Sequence, residues 1–281
     1  MTRLFGVIGH PIQHSLSPLM HQAAYQAFEL DAIYAPFDVP PRHLKSMLRG
    51  LLTCGVEGLN VTVPLKETVL PLVHELGHEA RALRAVNTLI IRRGRIRGEN
   101  TDVAGFLRAL AELGWTPRPC AALVLGAGGA ARAVVWALSQ QRGMELTIAN
   151  RHLARAQALA RWLSRARPGR NIRAMPLHRA TARGYQLLIN ATTVGMRRQN
   201  EIDSVINLDG LAKQTVVYDL VYNRPTRLVQ QARRRGCLAA NGLSMLVYQG
   251  AESFRLWWHR QPPIAVMRKA VEQALNVRSA D

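Results

Sequence analysis

The stretch between residues 121 and 135 constrains the fold of this chain more than any other. A short apolar run leads into Gly126-x-Gly128-x-x-Ala131, and an alanine-rich run follows it. This order predicts a strand, a tight turn and a helix, because glycine permits the turn and lets the backbone approach a pyrophosphate. The helix N-terminus would add free N–H groups and a partial positive charge. The stretch therefore predicts dinucleotide binding, with a purely structural glycine turn as the alternative.

The next apolar run, at residues 145–150, bears on which dinucleotide is bound. NAD enzymes carry an acidic residue near this point for the ribose 2′-hydroxyl. Here Asn150 is followed by Arg151, His152 and Arg155. No carboxylate is present to repel a 2′-phosphate, and an arginine guanidinium group can donate two hydrogen bonds to such a phosphate. We predict NADP rather than NAD, the alternative being that the arginines are only solvated.

The length and composition indicate two domains. The chain has 281 residues, of which 48% are hydrophobic, and the glycine motif begins only near residue 121. No run approaches the ~20 apolar residues of a membrane span, and the amino terminus lacks the apolar core of a signal peptide. The three cysteines are far apart and form no CxxC pair, so they predict neither a disulfide framework nor a metal site. We expect a cytoplasmic protein that needs no metal.

The formal net charge of +19 raises the question of nucleic-acid binding, because basic proteins bind phosphate backbones. Many arginines and no Asp or Glu lie between Arg151 and Gly184. This stretch lacks the interleaved aromatic residues of a single-strand binder and any recognisable nucleic-acid-binding motif. A solvated basic face beside an anionic cofactor is therefore the preferred interpretation, and a nucleic-acid partner is disfavoured.

Polar residues cluster where the apolar runs of the first hundred residues end. Those runs predict strands at residues 3–9, 32–38, 55–64 and 84–91. Ser15 and Ser17 follow the first, Asn60 and Thr62 share one face of the third, and Asn87 lies in the fourth. Ser17 could instead cap the next helix. Since ligands of open parallel sheets lie beyond the strand ends, these residues predict a polar pocket.

Two charged residues lie beside this pocket. Lys66 precedes a helix predicted at residues 67–74, where the helix dipole favours anions, so its position needs another reason. Asp102 ends a strand just before a helix predicted at residues 103–113. Capping that helix could by itself explain the aspartate at this position. The nearby Asn60 and Asn87 favour a shared pocket instead.

The second half of the chain repeats a strand and helix pattern. Five candidate strands between residues 121 and 242 are separated by helices, which predicts a doubly wound parallel sheet. A helix follows from residue 243 to residue 258.

Taken together, these motifs resemble the shikimate dehydrogenase family over essentially the whole chain. The matching segments are Ser15-Leu-Ser17-Pro18, Asn60-Val-Thr62-Val-Pro64-x-Lys66, Ala85-Val-Asn87-Thr88, Asn100-Thr101-Asp102, Gly126-Ala-Gly-Gly-Ala130, Asn150-Arg151, Asn190-Ala-Thr192 and Asn241-Gly242-Leu-x-Met245-Leu-x-x-Gln249. The resemblance implies reversible reduction of 3-dehydroshikimate to shikimate by NADPH, in the chorismate pathway to aromatic amino acids.

The resemblance also implies roles for individual residues. Lys66 and Asp102 would be the catalytic pair. The substrate-binding positions would be Ser15, Ser17, Asn60, Thr62, Lys66, Asn87, Asp102, Tyr222 and Gln249. The NADP-binding positions would be Gly126, Ala127, Gly128, Gly129, Ala130, Asn150, Arg151, His152, Arg155, Thr192, Leu220 and Gly242.

We therefore expect an α/β protein of two domains with the active site in the cleft between them. The expected parts are an N-terminal α/β shikimate-binding catalytic domain at residues 1–104, a C-terminal NADP-binding Rossmann domain with a doubly wound parallel sheet at residues 105–242, and helices at residues 243–281 that pack back on the substrate domain. A quinate/shikimate dehydrogenase that also uses NAD is the main alternative, which Asn150 and Arg151 disfavour. The sequence leaves a monomer and a homodimer open.

Overall fold

The computed structural model describes residues 2–195, 206–224 and 226–280. The chain divides into two compact units. The first comprises Met1–Gly105 and Val247–Asp281, and the second comprises Phe106–Leu246.

The first unit is built on a mixed six-stranded sheet. Its strands are β1 (Arg3–Gly9), β2 (Ala32–Asp38), β3 (Val56–Val61), β4 (Glu75–Leu76), β5 (Thr88–Arg92) and β6 (Arg95–Glu99), in the order β2-β1-β3-β5-β6-β4. β1 is parallel to β2 and β3, whereas β5 is antiparallel to β3 and β6. The strand predicted at residues 84–91 thus begins only at Thr88, and Asn87 precedes it. The antiparallel register sets Asn60 opposite Thr88, which brings Asn87 to the carboxyl end of β3.

The second unit contains a wholly parallel six-stranded sheet. Its strands are β7 (Cys120–Leu125), β8 (Met144–Asn150), β9 (Asn171–Pro176), β10 (Leu187–Asn190), β11 (Val216–Asp219) and β12 (Ala239–Ala240), in the order β12-β11-β10-β7-β8-β9. Every neighbouring pair is parallel, which confirms the predicted doubly wound sheet. The sequence analysis missed β9, because this edge strand alternates polar residues such as Arg173 with small apolar ones.

Ten helices connect the strands within the described residues. They are α1 (Ser17–Ala27), α2 (Leu44–Thr53), α3 (Leu65–Thr68), α4 (His78–Leu83), α5 (Asp102–Glu112), α6 (Gly129–Ser139), α7 (Leu153–Ala166), α8 (Arg227–Arg234), α9 (Leu243–Trp258) and α10 (Ile264–Ala280).

Two details of the predicted helices were wrong. The helix predicted at residues 67–74 is the single turn α3 followed by a 3-10 turn at Leu70–Leu72, since Pro71 disfavours helical geometry in the preceding residue and lacks an N–H. Lys66 therefore lies inside α3. Ser17 is the first residue of α1 rather than its cap, because Leu16 occupies the N-cap and no side chain caps the helix.

Aromatic side chains enclose a histidine in the core of the first unit. His21 is fully buried and stacks on Tyr34, with ring centroids 4.4 Å apart and an interplanar angle of 5°. Neither ring nitrogen has a hydrogen-bond partner among the described residues. Because burial disfavours the charged form, the pKa of His21 is lowered from 6.5 to about 3.

We expect the first unit to lose stability as the pH falls below 6.5. Unfolded His21 binds a proton near pH 6.5, whereas the folded ring stays neutral down to about pH 3. The unfolded chain then binds more protons, so each pH unit removes up to about 1.4 kcal/mol from the free energy of unfolding. Urea unfolding followed by tryptophan fluorescence between about pH 7 and pH 4.5 measures this loss.

The matched variants are His21→Phe and His43→Phe. Phe at position 21 can keep the stacking but cannot titrate, so the acid-dependent loss should be smaller by about 2–3 kcal/mol at pH 4.5. His43→Phe is the control, because it replaces an exposed histidine on the 3-10 turn before α2 and leaves the aromatic core intact. An equally steep loss in His21→Phe would show that another group causes it.

Candidate functional site

A lysine and an aspartate form an ion pair in the first unit. Lys66 Nζ donates to Asp102 Oδ2 at 2.6 Å, and the two side chains are 22% and 9% exposed. Lys66 lies in α3, just beyond β3, and Asp102 is the first residue of α5. The helix dipole does not favour a lysine at this position. The ion pair with the Asp102 carboxylate explains why Lys66 is there.

Asn87 fixes the other side of the aspartate. Asn87 Nδ2 donates to Asp102 Oδ1 at 2.8 Å and to Thr101 Oγ1 at 2.9 Å, while its Oδ1 accepts from the Thr101 N–H at 2.8 Å. The Asp102 N–H in turn donates to Asn100 Oδ1 at 3.1 Å. Both carboxylate oxygens therefore face donors, an arrangement that suits the ionised acceptor-only form.

A second layer of polar groups lies beneath this pair. Asn60 Oδ1 accepts from Tyr34 Oη–H at 2.7 Å, and Asn60 Nδ2 donates to Ser253 Oγ at 2.9 Å and to the Asn87 carbonyl at 3.2 Å. Ser253 Oγ also lies 2.8 Å from Thr88 Oγ1. Asn60 is 5% exposed, and its amide group holds Asn87 in place through the hydrogen bond to the Asn87 carbonyl.

The remaining polar residues predicted in the first unit lie around the same strand ends. The Thr62 N–H donates to the Ile8 carbonyl at 2.9 Å, which sets the loops after β1 and β3 side by side. On the first of these loops the Ser17 N–H donates to Ser15 Oγ at 3.3 Å. From α9, Gln249 Oε1 accepts from Asn87 Nδ2 at 3.5 Å. Of the predicted substrate residues only Tyr222 lies in the second unit, in the partly buried segment after β11.

Five members of this network were assigned no role from the sequence, namely Tyr34, Thr88, Asn100, Thr101 and Ser253, although Thr88, Asn100 and Thr101 lie in the matching segments. Ser253 carried a usable signal, because it lies one helical turn after Gln249 on the same face of α9. Tyr34 carried none, since its hydroxyl reaches Asn60 only through the pairing of β1 with β2 and β3.

The glycine turn of the second unit has the shape of a phosphate cradle. Gly126 has φ +112°, and a Cβ there would lie 2.9 Å from the Ala191 carbonyl oxygen, so only glycine fits. Gly128 is the N-cap of α6 and no side chain caps the helix. The space around Gly128 and Gly129 is open to 4 Å, and both are exposed together with Ala130. Open space beside uncapped N–H groups fits a pyrophosphate.

The residues after β8 form an exposed cationic turn. Asn150 Nδ2 donates to the His152 carbonyl at 3.0 Å, which holds the turn into α7. Arg151, His152 and Arg155 are all exposed. Within this stretch there is no carboxylate, so the charge and geometry fit a phosphate better than a bare ribose diol.

A buried aspartate joins the loops beyond the middle strands of this sheet. Asp219 accepts from Asn190 Nδ2 at 2.8 Å and from Thr226 Oγ1 at 2.6 Å, and Asn190 Oδ1 accepts from Thr192 Oγ1–H at 2.7 Å. Burial is the main cause of the raised pKa of Asp219, and these hydrogen bonds oppose it. Asp219 was assigned no role from the sequence, because the fold brings its partners together from the end of β10, at Asn190, and the N-cap of α8, at Thr226.

Leu220 and Gly242, two of the predicted cofactor-binding positions, lie against each other in the second unit. A Cβ on Gly242 would overlap the backbone carbonyl of Leu220, so the two backbones approach each other more closely than another residue type allows.

No helix in the described part of the chain is long and apolar enough to cross a membrane. Likewise, residues 2–195, 206–224 and 226–280 contain no group of three or more His, Cys, Asp or Glu side chains placed to hold a metal ion.

Family models match three parts of the chain. Residues 7–89 match the shikimate dehydrogenase substrate binding domain, residues 112–201 match shikimate/quinate 5-dehydrogenase, and residues 242–272 match the shikimate 5′-dehydrogenase C-terminal domain.

Individual relatives are similar over nearly the full length. The shikimate dehydrogenase (NADP(+)) of Methanopyrus kandleri is 44% identical, covering 98% of this chain and 97% of its own. A crystal structure of a shikimate dehydrogenase in complex with NADP+ is 36% identical with a TM-score of 0.93, covering 98% of this chain and 96% of its own. A Thermus thermophilus shikimate 5-dehydrogenase in complex with NADP(H) and shikimate is 39% identical with a TM-score of 0.86, covering 97% of this chain and 100% of its own.

Proposed function

The chain belongs to the shikimate dehydrogenase family, and we propose that it catalyses the reversible NADPH-dependent reduction of 3-dehydroshikimate to shikimate, a step toward chorismate and the aromatic amino acids. The observation that carries this proposal is the Lys66–Asp102 pair at 2.6 Å, held from its far side by Asn87. Ketone reduction needs a proton donor at the carbonyl oxygen, and an ammonium group held by a carboxylate is such a donor.

In this proposal the first unit binds the substrate. Ser15 and Thr62, on the loops after β1 and β3, and Ser17, the 7% exposed first residue of α1, are the proposed hydroxyl contacts for the carboxylate and hydroxyl groups of shikimate. Asn87, Asp102 and Gln249 present amide and carboxylate oxygens, and Lys66 presents donors. Asn60 was predicted as a substrate contact, but its internal hydrogen bonds favour a positioning role.

Lys66 is the proposed general acid. In the reducing direction its ammonium group gives one proton to the oxygen of the reacting carbonyl as the carbon receives a hydride. In the oxidising direction the neutral amine takes the proton back from the hydroxyl group. Asp102 holds the ammonium group in place with one oxygen, while Asn87 prevents the carboxylate from turning.

The second unit is the proposed NADP site. Bound NADPH supplies the hydride, and the protein supplies binding and orientation. Gly126, Gly128 and Gly129 leave room for the pyrophosphate at the start of α6. Arg151, with Asn150, His152 and Arg155, would bind the 2′-phosphate. The other proposed NADP contacts are Ala127, Ala130, Thr192, Leu220 and Gly242, whereas Tyr222 is the proposed substrate contact in this unit.

We further propose that the enzyme works in the cytoplasm, as a monomer or homodimer. The proposed compartment is supported by Cys54, Cys120 and Cys237, which are all free thiols, as a reducing environment maintains them.

The test is a set of initial rates with shikimate or quinate and with NADP⁺ or NAD⁺, followed by cofactor absorbance. We expect turnover mainly with shikimate and NADP⁺. Comparable rates with quinate and NAD⁺ would favour the dual-specificity alternative, and no turnover in all four mixtures would contradict the proposed activity.

Replacing Arg151 should change the cofactor preference. Arg151→Ala removes a guanidinium from the 2′-phosphate, and a charged hydrogen bond of about 1.5–3 kcal/mol corresponds to a rise of roughly 10–100-fold in the KM for NADP⁺. The KM for NAD⁺ should stay the same, because NAD⁺ lacks that phosphate. Arg161→Ala is the matched control, since Arg161 is exposed on α7 but is not a proposed contact. Equal effects of the two variants would remove Arg151 from the site.

A further inference from the structure

A basic residue precedes every strand of the parallel sheet in the second unit. These residues, here called the basic edge, are Arg118, Arg142, Arg170, Arg183, Lys213 and Arg235, which lie ahead of β7, β8, β9, β10, β11 and β12 respectively. They are far apart in the sequence. Only Arg170 and Arg183 belong to the arginine-rich stretch of residues 151–184 that the sequence analysis considered.

The parallel sheet brings these six residues to one side. All neighbouring strands run in the same direction, so their amino ends share one edge. Six strands spaced by ~4.8 Å span about 24 Å. The glycine turn at Gly126 follows the carboxyl end of β7 and thus lies at the opposite edge. The basic edge is therefore separate from the proposed NADP site.

These charges are largely uncompensated within the described residues. Five of the six side chains are exposed and Arg170 is partly buried. The carboxylate that approaches one of them is Asp209, 3.9 Å from Arg235 and 81% exposed, a separation at which an exposed pair contributes little. Helix dipoles favour cations where helices end, which accounts for Arg142 after α6 and Arg235 after α8. No helix end explains Arg118 or Arg183, which follow longer loops.

A groove opens on the same edge. It has a volume of about 260 Å³, and its lining includes Arg173, Arg183, Asn171, Glu145 and the partly buried Tyr185. Asn171 and Glu145 lie at the starts of β9 and β8, which places the groove at the amino end of the sheet. The groove thus combines two guanidinium groups and one carboxylate with the exposed part of Tyr185, which otherwise packs against the core and on which a base could stack.

We propose that the basic edge binds single-stranded nucleic acid without sequence preference. Cations distributed along a sheet edge of about 24 Å match a polymer of phosphates, and arginine donates paired hydrogen bonds to phosphate oxygens. Tyr185 in the groove favours a single strand over a duplex, because only unpaired bases can stack on it. A nucleic-acid partner was disfavoured from the sequence because the stretch of residues 151–184 lacks interleaved aromatic residues and a recognisable binding motif, whereas the basic edge is formed by residues that only the sheet brings together.

The experiment measures fluorescence anisotropy of a labelled thymidine oligonucleotide of about 20 nucleotides against the full-length protein over a range of NaCl concentrations. We expect a Kd in the micromolar range at low salt, and a log–log salt dependence with a slope of roughly −0.7 per phosphate contact. Saturating NADP⁺ should leave the Kd unchanged. A duplex of the same length and a poly-glutamate peptide should bind more weakly.

The test variant combines Arg118→Gln, Arg142→Gln and Arg183→Gln, and we expect its salt slope to be shallower by about 2. The control combines Arg42→Gln, Arg49→Gln and Arg260→Gln, which removes the same charge from exposed positions of the first unit. Matching thermal midpoints show that both variants are folded.

Three results would overturn the proposal. The first is equal slopes for the two triple variants, which would leave only the net charge as the cause. The second is displacement of the oligonucleotide by NADP⁺, which would place it at the cofactor turn. The third is binding of poly-glutamate as tight as that of the single strand, which would assign the surface to an acidic protein. None of these measurements uses dehydrogenase activity, so the outcome is independent of the proposed reaction.

Discussion

Replacement of Lys66 by alanine is expected to lower kcat by about 10²–10⁴-fold, the usual contribution of a positioned general acid or base. The KM for shikimate should change by only a small factor, because the hydroxyl and amide groups around the site remain. The fold should survive, since the buried Asp102 keeps its hydrogen bond from Asn87 and its N–H keeps its bond to Asn100. Steady-state rates with shikimate and NADP⁺ test this expectation.

Two further lysine variants test whether position 66 supplies the proton or only a positive charge. Lys66→Arg keeps a positive charge beside Asp102 but cannot release a proton near neutral pH, so it should remain nearly as slow as Lys66→Ala. Lys45→Ala removes an exposed lysine from α2 and should have normal rates. Near-normal turnover in Lys66→Arg would show that position 66 supplies charge alone and not the proton.

Replacement of Asp102 by asparagine should have the second large effect. Asp102 accepts from Lys66 Nζ with one oxygen and from Asn87 Nδ2 with the other. An asparagine must turn its own NH₂ toward one of these donors, and it removes the negative charge that holds the ammonium group. We expect kcat/KM to fall by about 10²–10³-fold, which corresponds to roughly 3–4 kcal/mol of lost transition-state stabilisation.

The double variant Lys66→Ala/Asp102→Asn separates a shared role from two independent ones. If Asp102 acts mainly by holding Lys66, the loss in the double variant should be close to that of Lys66→Ala alone, because residues that act as a unit are not additive. Losses that multiply would mean that Asp102 contributes through its own contact with the substrate. Asn100→Ala is a useful comparison, since it removes a hydrogen bond to the Asp102 N–H but keeps the carboxylate.

Much of the fold was predictable because its signals are local. The positions of β1 and β2 follow from short apolar runs, and α9 was predicted with its observed bounds. The errors arose where local patterns conflict with their surroundings. The polar edge strand β9 lacks an apolar run, and Pro71 shortens the helix expected after Lys66.

The proposed catalytic pair shows the limit of prediction from sequence. Lys66 was singled out because the helix dipole does not favour a lysine there, and Asp102 because Asn60 and Asn87 end neighbouring strands beside it, although capping alone could explain it. Their direct contact and its support by Asn87 depend on β5 running antiparallel to β3, which nothing in either strand predicts. Ser253 joins the network from 193 residues after Asn60, through packing of α9 against the sheet.

The sequence by itself determined the glycine turn, the cationic residues after β8 and the alternation of strands with helices. These depend on the φ angles that glycine permits, on side-chain charge and on periodicities within a few residues. The tertiary structure alone decided strand direction and register, and hence which distant side chains meet. Strand order depends on packing and hydrogen bonds between distant segments, so only the folded chain brings Asn60, Asn87 and Asp102 together and sets six separate cations along one edge of a sheet.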